Sequence, residues 1–245
     1  MTVNRRPLLR RASGIVTAAS PGGAAKATGR AEPRKITPGG RDVLLVVDVQ
    51  NDFIPGGALP VADGDQVVPR VNRLAPAFPH VILTQDWHTP GHVSFASSHP
   101  GKKPFDTIKL GYGTQVLWPD HCVQGTPGAD FHKDLDIPRA ELIIRKGYRG
   151  QIDSYSAFFE VDGKTTTGLA GYLRARGLRR VFLAGLATDF CVAWSALDAR
   201  KAGFPVYVIE DACRAIDTGG SLGKAWKRMK AAGVGRITSA DIEAG

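Results

Sequence analysis

Three side chains of different chemistry follow runs of residues that are typical of buried β-strands. They are an acid, a base and a thiol: Asp48, Lys146 and Cys191. In parallel α/β sheets ligands bind beyond the carboxyl ends of the strands, so we expect these residues to meet at one edge of a sheet. A carboxylate can take the proton of a thiol, and a buried lysine beside it would keep the charges matched. The pattern therefore predicts nucleophilic catalysis at Cys191.

The surroundings of Cys191 support this role, although each residue alone has a simpler interpretation. Cys191 is expected in the first turn of a helix over 189–202, where free N–H groups and the helix dipole favour a thiolate. A lone cysteine is more often a small buried apolar residue. Asp48 alone could be a helix cap or turn residue, and Lys146 alone a surface charge. The agreement of three separate segments favours catalysis.

A second set of residues has the types that bind metal ions. Asp86 and His88 follow the strand run 81–83 and lie two residues apart, so in an extended chain both can point the same way. His121 would supply a third ligand from a long loop. One carboxylate and two imidazoles with open positions suit a catalytic or substrate-binding Zn, Fe or Mn ion better than a closed structural site.

Spacing alone does not fix this ligand set. His92, His99 and His132 remain candidates, and a lone histidine is usually structural or exposed. Ser94 or His92 could instead hold water molecules bound to the metal.

The order of elements predicts a parallel sheet covered by helices on both faces. Apolar, β-branched runs predict strands at 43–47, 81–83, 142–144, 181–184, 206–209 and, at an edge, 235–238. Helices are expected over 64–77, 165–176, 189–202 and 218–232. Strands that alternate with helices are typical of α/β proteins. The segment 86–140 breaks the alternation without a convincing strand, and so long a loop usually carries function.

The net charge of +9 is concentrated at the start of the chain. Residues 1–41 contain nine lysines and arginines and one acid, Glu32, whereas the remaining residues are nearly neutral. This stretch has few large apolar residues, which predicts a disordered basic N-terminal extension before a domain over 42–245. Because the predicted domain is nearly neutral, the charge does not indicate a nucleic-acid partner.

Cysteine content and hydropathy bear on the compartment. Three cysteines do not suggest a disulfide framework and fit a reducing environment. No apolar run reaches the roughly 18 residues that a membrane-spanning helix needs, so no membrane partner is expected. Arg5 and Arg6 faintly resemble a twin-arginine export signal, but Ser13 and Gly14 interrupt the apolar part. We expect a cytoplasmic protein, with export as the minor alternative.

Six ordered motifs resemble the nicotinamidase/pyrazinamidase branch of the isochorismatase-like cysteine hydrolases. They are DVQNDF (48–53), QDWH (85–88), WPDHCV (118–123), KG (146–147), DSYSAF (153–158) and GLATDFCV (185–192). The resemblance runs from about residue 42 to the C-terminus and implies a three-layer α/β/α fold. It implies hydrolysis of nicotinamide to nicotinate and ammonia in NAD salvage, with pyrazinamide as a further substrate.

The same resemblance assigns roles to individual residues. It implies a catalytic triad of Asp48, Lys146 and Cys191, and one divalent metal, zinc before iron or manganese, on Asp86, His88 and His121. The metal would hold the pyridine nitrogen and water. The ring pocket would be lined by Phe53, Trp118 and Tyr155. The oxyanion hole would be formed by the N–H groups of Ala187 and Cys191, with a cis peptide at Leu186–Ala187.

Two other functions stay open at this point. A related hydrolase could act on another small amide or a carbamoyl compound, in which case the set Asp86, His88 and His121 would be the discriminating feature. A non-catalytic α/β binding module would lack the nucleophile or the base, and fold alone does not fix function. The expected partner is a small-molecule substrate, with a homo-oligomer as a possibility that the sequence does not decide.

Overall fold

A six-stranded parallel sheet lies at the centre of the structure, a computed structural model that describes residues 35–243. Strands and helices are, in chain order, β1 (Asp42–Val47), α1 (Val67–Leu74), β2 (His80–Asp86), β3 (Thr107–Leu110), β4 (Gly113–Val116), β5 (Leu142–Lys146), α2 (Leu169–Ala175), β6 (Arg180–Leu186), α3 (Ala193–Lys201), β7 (Val206–Arg214), α4 (Ser221–Ala231) and β8 (Gly235–Ile237). The sheet order is β5-β2-β1-β6-β7-β8. All neighbouring strands in it are parallel.

The central strand β1 shows why the sheet is covered on both faces. Successive side chains of a strand point to opposite faces. Leu44 and Val46 pack into one apolar cluster, whereas Val43, Leu45 and Val47 pack into the other, and all five are buried. A strand with five consecutive apolar residues must therefore be covered on both sides.

The helices supply those two covers. Val67 and Val71 of α1 pack into the first cluster. Leu173 of α2, Ala196 of α3 and Met229 of α4 pack into the second. The result is a three-layer α/β/α arrangement, and the predicted fold class is confirmed. None of the helices within residues 35–243 is long and apolar enough to cross a membrane.

Three features differ from the sequence expectations. The segment predicted to lack strands contains the antiparallel hairpin β3–β4, with Thr107 paired to Val116. Strand β7 extends beyond its apolar run through Arg214. The fold begins before residue 42, since the Ile36 N–H donates to the Asp241 carbonyl at 2.7 Å. The rest of the predicted extension, 1–34, lies outside the described residues.

The strand order creates a crevice for a ligand beside β1. The chain runs from β1 to β2 and β5 on one side and then returns to β6 on the other side. At such a switch point the loops after adjacent strands diverge and leave space beyond their carboxyl ends. Asp48 follows β1, and the loop after β6 leads to Cys191.

Candidate active site

The ammonium group of Lys146, the last residue of β5, connects the acid, the thiol and the candidate metal ligands. Its Nζ lies 2.7 Å from Asp48 Oδ2, 2.7 Å from Asp86 Oδ1 and 3.4 Å from Cys191 Sγ. The lysine side chain is fully buried. Strands β1, β2, β5 and β6 thus deliver four functional groups to one point, and the structure brings Asp48, Lys146 and Cys191 together.

Asp48 is held in a tight turn directly after β1. Its φ of 47° lies in the left-handed region. The Thr84 hydroxyl donates to Asp48 Oδ1 at 2.6 Å. Within the described part of the chain, Oδ2 has no partner in hydrogen-bonding geometry, although it is close to Lys146. This oxygen has a free lone pair, which can accept a proton from the nearby thiol.

Cys191 lies in a π-helical turn between β6 and α3. Strand β6 ends at Leu186, the Leu186–Ala187 peptide is cis as the resemblance implied, and the turn runs over Thr188–Val192. The Ala187 carbonyl accepts hydrogen bonds from the N–H groups of Phe190 and Val192, both at 3.1 Å. These bonds fold the loop around Cys191, so the expected first α-helical turn is a π-turn instead.

The protonation pattern differs from the expected thiolate. Burial raises the pKa of the Cys191 thiol well above its usual value, and Lys146 opposes that shift only in part. Burial also raises the pKa of Asp48 against the pull of Lys146. Burial alone would lower the pKa of Lys146, but the carboxylates of Asp48 and Asp86 raise it well above its usual value. The resting site therefore contains a neutral thiol beside a charged lysine.

Asp86, His88 and His121 form a group whose donor atoms face one another. His88 Nε2 lies 3.4 Å and His121 Nε2 lies 3.8 Å from Asp86 Oδ2. The other nitrogen of each ring contacts a carbonyl oxygen. His88 Nδ1 lies 3.1 Å from the Gly147 carbonyl, and His121 Nδ1 lies 2.8 Å from the Pro119 carbonyl. Since a carbonyl only accepts, each Nδ1 carries a proton, and each Nε2 is the ring nitrogen that faces Asp86.

This donor set fits a divalent metal ion. Two imidazoles oriented by backbone carbonyls and one carboxylate oxygen are ligands typical of open zinc sites. Burial alone would raise the pKa of Asp86, but Lys146 and His88 hold it well below its usual value, so the carboxylate is ionised. The three side chains predicted as metal ligands are thus adjacent and buried.

The other histidines have different surroundings. His92 Nδ1 lies 2.7 Å from Ser94 Oγ, and its ring centroid is 4.4 Å from that of His88. His92 therefore packs against His88, one of the three candidate ligands, and Ser94 contacts His92. His99 and His132 belong to no group of candidate metal ligands among the residues that the structure describes.

A narrow pocket opens beside Cys191. The residues expected to line a ring pocket, Phe53, Trp118 and Tyr155, all line it. The Trp118 indole N–H donates to the Tyr155 hydroxyl at 3.0 Å, which fixes both rings. Cys191 and the three candidate metal ligands line the same pocket as these aromatic rings.

The sequence of residues 42–241 matches the model of the isochorismatase domain family. The chain belongs to the isochorismatase family. It is 61% identical over 199 residues to the nicotinamidase of Acinetobacter baylyi, with 81% of this chain and 93% of that protein covered. PnC1 from L. infantum, solved in complex with nicotinate, is 40% identical with a TM-score of 0.76, covering 86% and 100%. The pyrazinamidase of Pyrococcus horikoshii, solved in complex with zinc, is 38% identical with a TM-score of 0.67, covering 81% and 99%.

Four further residues line the pocket of this isochorismatase-family chain without having been singled out from the sequence. They are Leu59, Asp153, Phe190 and Ile216. Asp153 is buried and accepts a hydrogen bond from the Gln115 side chain at 2.6 Å. Two of the four had a signal: Asp153 lies in the DSYSAF motif and Phe190 directly precedes Cys191. Leu59 and Ile216 had none, since single apolar residues in loops are common.

Proposed function

We propose that this protein hydrolyses nicotinamide to nicotinate and ammonia through a thioester on Cys191, and that pyrazinamide is a further substrate. The observation that carries the proposal is the Lys146 ammonium in contact with Asp48, Asp86 and Cys191. It joins a nucleophile with its proton acceptor to a candidate metal group. The 61% identity to a nicotinamidase and the aromatic pocket support the substrate.

The first half-reaction forms the thioester. The sulfur of Cys191 attacks the carboxamide carbon while its proton passes to Asp48 Oδ2, the oxygen with a free lone pair. The C–N bond then breaks, and Asp48 returns that proton to the leaving nitrogen, which departs as ammonia. Lys146 stays charged throughout, because its pKa is raised well above its usual value, and it stabilises the Asp48 carboxylate before and after each transfer.

The second half-reaction consumes water. Water attacks the thioester carbon as one of its protons passes to Asp48, the C–S bond breaks, and Asp48 returns the proton to the sulfur. The products are the free thiol and nicotinic acid, which releases the second proton of the water to solvent and leaves as nicotinate. In both halves, the oxygen of the tetrahedral intermediate would accept hydrogen bonds from the N–H groups of Ala187 and Cys191. One such donor is typically worth roughly 3–4 kcal/mol of transition-state stabilisation.

Ring recognition rests on two parts of the pocket. Phe53, Trp118 and Tyr155 would bind the faces and edges of the pyridine ring through apolar contact. Asp86, His88 and His121 would hold one divalent ion, zinc before iron or manganese, which supplies a Lewis acid that binds the pyridine nitrogen. Zinc is favoured by the nitrogen-rich donor set and by the zinc complex of the Pyrococcus horikoshii pyrazinamidase.

The test is ammonia release from nicotinamide and benzamide by the same preparation. Benzamide has the same carboxamide on a ring without nitrogen, so it separates amide chemistry from ring recognition. We expect rapid release from nicotinamide, little from benzamide, and loss of activity on chelation that zinc restores. No ammonia from nicotinamide in the metal-loaded protein would refute the proposal, and equal rates on both amides would refute the ring-recognition part.

We also propose that the protein acts in the cytoplasm. Its three cysteines are all free and buried, which suits a reducing compartment. Cell fractionation with an antibody against the native chain tests this: recovery of the protein outside the cytoplasm would favour export.

A further inference from the structure

Two side chains cross-link the ends of β1 and β2 just beyond their regular pairing. Thr84, on β2, donates its hydroxyl proton to Asp48 Oδ1 at 2.6 Å and accepts the Asp48 N–H at 3.1 Å. In the opposite direction Gln50, two residues after Asp48, bonds to the backbone of Asp86. A residue of β2 therefore binds Asp48 after β1, and a residue after β1 binds Asp86 at the end of β2.

The Gln50 amide imitates a neighbouring strand. Its Oε1 accepts the Asp86 N–H at 2.7 Å, while its Nε2 donates to the carbonyls of Asp86 and Ala129, both at 2.8 Å. The side chain is fully buried. Three hydrogen bonds satisfy both amide hydrogens and the amide oxygen, so a buried glutamine in this place is fully paired. Asp86 thereby has both backbone groups fixed from the β1 side.

We propose that Gln50 is a positioning residue for Asp86 and that Thr84 is a positioning residue for Asp48. Together they form a reciprocal clamp (Thr84 on Asp48, Gln50 on Asp86) that sets the separation of the two carboxylates. The clamp rests on the proposed function, which assigns those carboxylates to proton transfer and to metal binding.

Lys146 explains why the separation matters. One ammonium lies 2.7 Å from an oxygen of Asp48 and 2.7 Å from an oxygen of Asp86. Both acids lie at the ends of strands, where backbone ladders stop, and Asp48 has a left-handed conformation. A shift of either carboxylate breaks one contact, and a shift of Asp86 also moves Oδ2 away from the two imidazoles.

Gln85 provides a matched control for Gln50. Its side chain is also buried and also donates to the Ala129 carbonyl, at 2.9 Å, but its oxygen accepts from the Arg145 side chain at 3.0 Å and not from the Asp86 N–H. Replacing either residue by leucine therefore removes a bond to the same carbonyl. Only Gln50→Leu releases Asp86.

The first experiment measures zinc affinity without substrate, by competition with a chromogenic chelator. Gln50→Leu is expected to weaken zinc binding roughly 10–100-fold, the usual effect of removing a group that orients a metal ligand. Gln50→Glu keeps the shape but cannot donate to the two carbonyls, so it should weaken binding as well. Gln85→Leu should keep the wild-type affinity. Circular dichroism checks that each variant is folded. If Gln50→Leu does not fold, the zinc affinity of Gln50→Glu decides the test.

The second experiment tests the other half of the clamp. Thr84→Val removes the hydroxyl and is expected to lower kcat on nicotinamide roughly 10–100-fold while KM and zinc affinity stay unchanged. Thr84→Ser keeps the hydroxyl, so its kcat should stay close to that of the wild type. A structural role alone would not separate kcat from KM, nor would serine rescue it.

The clamp is overturned if the Gln50 variants bind zinc as tightly as the wild type, if Gln85→Leu loses zinc equally, or if Thr84→Val keeps its kcat. Loss of folding in both Gln50 variants would also overturn it, since Gln50 would then be a residue of the fold. A wild-type protein that binds zinc but does not hydrolyse nicotinamide would refute the proposed function and leave the zinc result of the clamp standing.

Discussion

Replacing Lys146 by methionine should destabilise the fold and reverse part of its pH dependence. The lysine is fully buried, and its ammonium contacts the carboxylates of Asp48 and Asp86 at 2.7 Å each. Methionine has a similar length and fills the same apolar path. The substitution thus removes the charge with little change in volume and leaves two carboxylates in a buried site.

The magnitude follows from these distances. At 2.7 Å and an effective dielectric constant of about 20, each pair has roughly 6 kcal/mol of Coulomb attraction, which the desolvation of three buried ions largely offsets. Removing one partner of a buried ion pair typically costs about 3–5 kcal/mol, because the other charge stays buried without a partner. We expect a loss of about 4 kcal/mol or more in the free energy of unfolding of Lys146→Met at about pH 8.

The sign of the pH effect comes from the carboxyl groups. In the variant, burial raises the pKa of these carboxyls without the opposing lysine, so folding takes up a proton. A carboxyl with a raised pKa in the folded state makes its full contribution to the free energy of unfolding below its unfolded pKa. That contribution is lost as the pH rises through the folded pKa, by up to about 1.4 kcal/mol per pH unit for one proton. In the native protein, Lys146 holds the pKa of Asp86 well below its usual value despite burial, so that contribution is instead lost as the pH falls.

Urea unfolding of metal-free protein at about pH 5.5 and about pH 8 tests this reasoning. The difference in unfolding free energy between wild type and Lys146→Met should shrink at the lower pH. Lys133→Met is the control, since Lys133 is exposed and pairs with Asp134 at the surface. A loss below about 1 kcal/mol, or one that does not change with pH, would contradict the account of Lys146 as a buried counter-ion.

Three further substitutions have defined outcomes. Asp48→Asn should lower kcat for nicotinamide roughly 10²–10⁴-fold in steady-state assays with the fold retained, and a normal kcat would exclude Asp48 as the proton carrier. Tyr155→Phe leaves the buried Trp118 indole N–H without its acceptor and should destabilise the protein by about 1–3 kcal/mol in thermal unfolding; an unchanged Tm would contradict that contact. Gly185→Ala should destabilise by about 3 kcal/mol or more, because φ is +118° and a Cβ would lie 2.1 Å from a β1 carbonyl oxygen. Gly171→Ala in α2, where a Cβ meets nothing within 4 Å, should be neutral or stabilising, and equal effects would refute the steric argument.

The sheet and the main side chains of the site were predictable because their signals are local. Continuous β-branched runs mark strands that are buried on both faces, as β1 is. The chain that follows such a run lies at the functional edge of a parallel sheet, so the sequence predicts that Asp48 and the loop leading to Cys191 meet there. The apolar run predicted strand β5 only to residue 144, whereas the strand continues to Lys146. Lys146 is therefore the last residue of the strand, and it still lies at the functional edge.

Other features depend on contacts that a sequence pattern does not carry. The hairpin β3–β4 exposes much of its surface, so it lacks the apolar run that marks a buried strand. The polar end of β7 resembles a loop until its neighbours pair with it. Burial and nearby carboxylates raise the pKa of the Cys191 thiol, and both effects arise only when the chain is folded. Thr84 and Gln50 are polar residues whose partners lie 36 positions away.

The central claim is that the sulfur of Cys191, and no other thiol, attacks the amide. Ammonia release from nicotinamide by Cys191→Ala and by Cys213→Ala tests it most directly, since Cys213 is equally buried but lies on β7 outside the pocket. We predict that Cys213→Ala keeps wild-type turnover and that Cys191→Ala loses it by at least roughly 10⁴-fold while remaining folded. Turnover by Cys191→Ala close to that of the wild type would contradict the account.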